Sequence, residues 1–216
     1  NMSERQYNLD NVPITFSFAN HHISAFICNS SYNQDFINGV FLQLMAYHSS
    51  QDLKLIFLLT DKNDTDFNYA KYAPHCITED KTTRFYGVNN NNIKKISSYL
   101  ETVFSHRKRQ FYGKENKDEQ QEIGKQINQE NGFRNFETYY LIVTNDYTAI
   151  KDIPIIKEII NTRANLGFSL NIIDDSLQSL PNECTAFIEV LDKESCIIEK
   201  ELNNQQRFLP EIVTGL

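Results

Sequence analysis

Residues 23–35, ISAFICNSSYNQD, set an apolar run ahead of a polar stretch, and apolar side chains at helical spacing follow. A strand, a tight loop and a helix in that order is a common cradle for phosphate. A working Walker A loop needs glycines so that backbone N–H groups can wrap the phosphate. It also needs a lysine to neutralise charge and a Ser or Thr hydroxyl for Mg²⁺. Here Cys28, Asn29, Ser30, Ser31, Tyr32, Asn33, Gln34 and Asp35 fill the loop, without a glycine or a lysine. Depending on register, Gln34 or Asn33 stands at the lysine position and Asp35 or Gln34 at the Ser/Thr position. A carboxylate there adds repulsion where a triphosphate needs attraction. The stretch therefore reads as a strand-to-helix turn without catalysis, whose polar side chains can cap the helix. No cofactor is expected, and ATP with Mg²⁺ enters only in the alternative that a neighbouring subunit completes the site.

The second candidate is YYLIVTNDYTAI, residues 139–150. An apolar strand ending in acids is the Walker B arrangement, in which one carboxylate holds the Mg²⁺ shell and another polarises water. Here the strand ends in Asn145 and Asp146, so one acid of the pair is left. Asn-Asp is also a favoured turn pair, and that reading outweighs metal binding. His21, His22, His48, His75 and His106 have no metal-ligand spacing, so no metal site is expected. The adjacent His21 and His22 read as a loop contact between two strands. The basic run from His106 to Arg109 reads as the cationic end of a helix rather than as an arginine finger. Cys28, Cys76, Cys184 and Cys196 are too dispersed for a zinc ribbon or a CxxC pair and read as reduced, mostly buried thiols of a cytoplasmic protein.

Strands are expected at 13–18, 23–28, 53–60, 84–88, 139–144, 168–174, 186–190 and 195–199. Several are continuous apolar runs, as strands covered on both faces require. Between them, Phe36, Ile37, Val40, Phe41, Leu44 and Met45 form one helical stripe, and Ile93, Ile96, Leu100, Val103 and Phe104 another. A third helix is expected from Pro154 at its first turn to Gly167 at its end. Alternating strands and helices predict an α/β fold in three layers, a mainly parallel sheet with helices on both faces.

The chain has 216 residues and a net charge of −7, consistent with one domain over 1–216 and opposed to nucleic-acid binding. Residues 113–135 are polar and glycine-punctuated, as a surface insertion or flexible loop would be. No apolar run approaches the ~20 residues that span a bilayer. The opening NMSERQ, with Asn before Met, looks like a tag remnant, so the chain reads as a piece excised from a larger protein.

Taken together, VPITFSFANHHISAFICNSSYNQDFINGVFLQLMAYHSSQDLKLIFLLTD, SSYLETVFSHRKRQFYG, YYLIVTNDYTAI and NTRANLGFSLNIIDDSLQSLPNECTAFIEV resemble, in order and spacing, the FtsK/SpoIIIE-type ATPase modules. The likeness is to the modules of the membrane-anchored motor of type VII secretion in Gram-positive bacteria. The resemblance implies a degenerate P-loop NTPase-like, RecA-like fold that departs from the family at the Walker A lysine and Ser/Thr and at the first Walker B acid. It implies a catalytically inactive module on the cytoplasmic face of the membrane, a scaffold or regulator in protein export. Its expected partners are other modules or subunits of the same ATPase, other secretion components or exported substrates. No contact with nucleic acid is expected, and membrane contact comes only through the parent protein. Two alternatives are a module completed by its neighbour, active in the assembled parent, and a docking domain for exported helical substrates.

Overall fold

The computed structural model describes residues 14–28, 31–112, 136–190, 195–200 and 204–209; the expected insertion at 113–135 lies outside them. The apolar runs pair as one eight-stranded sheet. Its strands are β1 (Ile23–Cys28), β2 (Leu53–Leu58), β3 (Tyr86–Gly87), β4 (Tyr139–Thr144), β5 (Phe168–Asp174), β6 (Ala186–Val190), β7 (Ser195–Glu199) and β8 (Asn204–Phe208). The order across the sheet is β3-β2-β4-β5-β1-β6-β7-β8. Pairing is parallel from β3 to β6 and antiparallel for β6–β7 and β7–β8.

Among the described residues four α-helices accompany the sheet: α1 (Ser31–Tyr47), α2 (Asn90–Tyr112), α3 (Tyr147–Ile150) and α4 (Pro154–Asn161). Register shows where they pack. Phe26 lies opposite Ile173, and Phe57 follows through Val143 to Asn171, so Phe26 and Phe57 share one face of the sheet. Phe41 of α1 meets both rings edge-on at 6.2 and 5.8 Å. Phe168 has the opposite parity, and Phe104 of α2 meets it at 5.3 Å on the other face. The expected three layers are present, and the continuously apolar strands are buried from both sides.

Several expected elements differ. The run at 13–18 forms no strand: from residue 14 it is irregular until a turn closed by His21 N–H on Ser17 O, 3.1 Å, and Asn20 N–H on Ser17 Oγ, 3.2 Å. β2 ends at Leu58 rather than residue 60, where a 3-10 segment (Asp61–Lys71) takes over. β3 keeps only two residues of the expected five. The helix beginning at Pro154 stops at Asn161, because Thr162 is already extended (φ −94°, ψ 115°). Gly167, expected to end it, opens β5 instead. Asn165 Oδ1 accepts from Gly167 N–H and Phe168 N–H at 2.9 and 3.1 Å, and Gly167 takes φ +80°. β8 was not foreseen, since NQQRF lacks the apolar alternation of a strand.

Candidate functional site

Parallel strands carry ligand sites at their carboxyl ends. Across this end of the sheet stand, in order, Val190 of β6, Cys28 of β1, Asp174 of β5, Thr144 of β4 and Leu58 of β2. The two candidate motifs are therefore not neighbours: β5 separates them, leaving them ~10 Å apart at two strand spacings. β1 gives way to α1 within three residues, so the expected strand-loop-helix frame is present. Asn29 and Ser30, and with them the expected capping of α1, lie outside the described residues, as do the side chains of Ser31, Tyr32 and Asn33. Gln34 donates along its own helix to Asn38 Oδ1 at 3.2 Å, and Asp35 is exposed.

At the end of β4 both candidate side chains make backbone bonds. Asn145 Oδ1 accepts from Thr60 N–H at 2.9 Å and ties β4 to the exit of β2. Asp146 Oδ1 accepts from Ala149 N–H at 2.9 Å and caps the four-residue α3. Asn145 thus serves as a tie between strand exits and Asp146 as a helix cap.

Sequence reasoning missed Asp174 and Asp175, which end the strand between the two motifs. The acidic pair after FSLNII was the available clue, the same apolar-strand-then-acid pattern that drew attention to Asn145 and Asp146. Asp174 Oδ1 accepts from Ser176 N–H at 3.0 Å. Burial, reinforced by the charges of Asp174 and then Asp175, pushes the Cys28 thiol up to about 11. The half-buried Cys28 at the head of the candidate loop thus sits near two carboxylate charges, a negative local field at that residue. Strand-end segments 23–35, 139–150 and 168–175 contain neither Lys nor Arg to offset it. Among the described residues no group of three or more His, Cys, Asp or Glu could hold a metal ion.

The other candidates fall elsewhere. His21 Nε2 lies 3.0 Å from Glu199 Oε1, its ring stacked on Phe16, which fixes a loop to β7. His75 Nε2 donates to His48 O at 2.9 Å. The basic run does not simply end its helix: α2 continues to Tyr112, and Arg107 turns inward. Its guanidinium donates to Leu166 O at 3.0 Å, to Gly167 O at 3.2 Å and to Thr138 O. It lies 4.6, 5.1 and 5.2 Å from the rings of Phe136, Tyr140 and Phe168. This braces the amino ends of β4 and β5, the opposite end of the sheet from the candidate loop. Cys76, Cys184 and Cys196 are buried free thiols and Cys28 is half-buried.

No family model matches the chain. The type VII secretion system protein EssC of Staphylococcus aureus is 22% identical over 183 residues, covering 83% of this chain and 11% of that protein. Over that stretch the chain is similar in sequence to part of EssC. Among solved structures, EssC (ATPases 2 and 3) from Geobacillus thermodenitrificans aligns with a TM-score of 0.59 at 12% identity, over 91% of this chain and 41% of that one. EccC (ATPases 2 and 3) from Thermomonospora curvata, in complex with a signal sequence peptide, aligns with a TM-score of 0.58 at 12% identity, over 94% of this chain and 39% of that one. Those structures bear on the fold of the chain. The chain spans about a tenth of the length of the curated relatives it matches.

Proposed function

We propose that this module is a catalytically inactive, ATPase-like part of a type VII secretion motor that works through protein contacts on the cytoplasmic side of a membrane. Its partners on this reading are other modules of the same motor. The observation that carries the reading is the carboxyl end of the sheet. Burial, and after it the charges of Asp174 and Asp175, raises the Cys28 thiol at the head of the candidate phosphate loop, and Asp146 is engaged in capping α3. A triphosphate would have to enter that field without a lysine or arginine from segments 23–35, 139–150 and 168–175. Isothermal titration of the chain with ATP and Mg²⁺ tests this. No measurable binding is expected, and micromolar binding with turnover overturns it.

A second reading, a docking module for exported helical segments, is favoured by one specific observation: the EccC relative holds a signal sequence peptide. It predicts that such a peptide binds the isolated chain without any nucleotide.

A further inference from the structure

A cleft of about 470 Å³ opens at the amino ends of β2 and β4, between the sheet and the last turns of α1. That is the end of the sheet away from Cys28, Asp174 and Asp146. Its volume is in the range that takes a small ligand or one or two bulky side chains. Leu53 and Leu141 form the floor, Leu44 of α1 one wall, and Phe16 and Phe18 the other. Asp52, Glu137 and His48 line the cleft from exposed positions, and Asp52 Oδ2 accepts from Ser49 Oγ at 2.7 Å.

The walls are held apart by bonds that do not depend on an occupant. Ser169 Oγ donates to Phe18 O at 2.6 Å, and Asn165 Nδ2 donates to Ala19 O at 2.9 Å, which pins the aromatic wall to β5 and its entry loop. Tyr139 N–H donates to Asp52 O at 2.7 Å, joining the two strand entries. His75 Nε2 fixes the exit of α1 through His48 O. A cleft so framed does not need to reorganise when filled, which lowers the cost of binding.

We propose that this cleft receives a bulky apolar side chain of a partner protein, presented on a segment that carries Lys or Arg beside it. The apolar floor supplies the anchor pocket. Charge complementarity selects the flanks, because the lining carries two exposed carboxylates on a chain of net charge −7. The inference rests on the reading that the module works through protein contacts, and it names the chemistry of one partner. It stands or falls on peptide binding, whereas the inactive-module reading stands or falls on ATP.

The test uses a fluorescein-labelled amphipathic 15-residue helical peptide with a central Leu-Phe anchor and four lysines. A control peptide has the lysines replaced by glutamates. Anisotropy titration of the 216-residue chain is expected to give micromolar affinity for the lysine peptide and at least tenfold weaker binding of the control. Glu137→Lys, a surface change, is expected to weaken the lysine peptide about tenfold, and Leu44→Trp, which fills the cleft, to abolish its binding. If Leu44→Trp fails to fold by circular dichroism, Glu137→Lys alone decides. Equal binding of both peptides, no binding at millimolar concentration, or binding unmoved by Glu137→Lys overturns the proposal. Self-association in sedimentation that Glu137→Lys changes, without peptide binding, assigns the cleft to a second copy and also overturns it.

Discussion

Arg107 carries a charge into the protein, and among the described residues no carboxylate forms an ion pair with its guanidinium. Burial pulls its proton affinity below the usual arginine value, and three backbone carbonyls and three ring faces compensate. Lysine cannot reproduce that planar fork. Arg107→Lys is therefore expected to leave carbonyls unsatisfied and to cost about 3 kcal/mol, read as a lower urea midpoint. Gly167 answers to the same group: a Cβ there would stand 2.3 Å from Arg107 Nη1, on a backbone with φ +80°. Gly167→Ala is expected to cost about 2 kcal/mol or more through strain and displacement of the guanidinium. Cys28 offers a pH test. Burial and the nearby carboxylates raise its thiol to about 11, so alkylation by iodoacetamide at pH 8 is expected to run about 100-fold slower than for a free cysteine. The sign for stability follows: what the neutral thiol contributes is complete below pH 9 and is lost as pH rises toward 11. None of these roles was legible in the sequence. HRKRQ shows five polar side chains in a row but not which one points inward, and Gly167 looks like a helix stop until Asn165 is seen to organise the turn.

At the scale of elements the sequence was more readable, because burial on both faces leaves unbroken apolar runs. β1, β4, β5, β6 and β7 stand at the expected bounds for that reason. The run at 13–18 alternates apolar and polar residues instead, and its rings pack: Phe16 stacks on His21, Phe18 meets Phe16 and Phe26 edge-on, both line a cleft, and residues 14–18 join no strand among the described residues. β8 failed in the opposite way, its polar residues suiting a sheet edge that faces water on one side. The strand-loop-helix frame of β1 and α1 was legible, whereas the acids beside it were not sought on β5, because strand order across the sheet cannot be read from chain order. The aromatic side of α1 is its tightest joint: Phe41 is fully buried against Phe26, Phe57 and Phe67. Phe41→Ala is expected to destabilise the fold by about 3–5 kcal/mol, measured by urea unfolding.

For the whole molecule, the central position of β1 has a further meaning. It pairs with β5 on one side and β6 on the other, each joined to it across roughly two-thirds of the chain. β2, β3 and β4 can pair with one another without it. A chain ending at Asn161 keeps β1 and α1 but lacks both strands that flank β1. Such a truncation is expected to show no cooperative urea transition, while the 216-residue chain shows one. Closing contacts so distant in sequence carries a large loop entropy and makes folding slow. During synthesis, then, the strand β1 leaves the ribosome long before the strands on either side of it exist. The newborn chain must be kept from aggregating through that wait, so holdase chaperones should find it a demanding client until β6 has emerged.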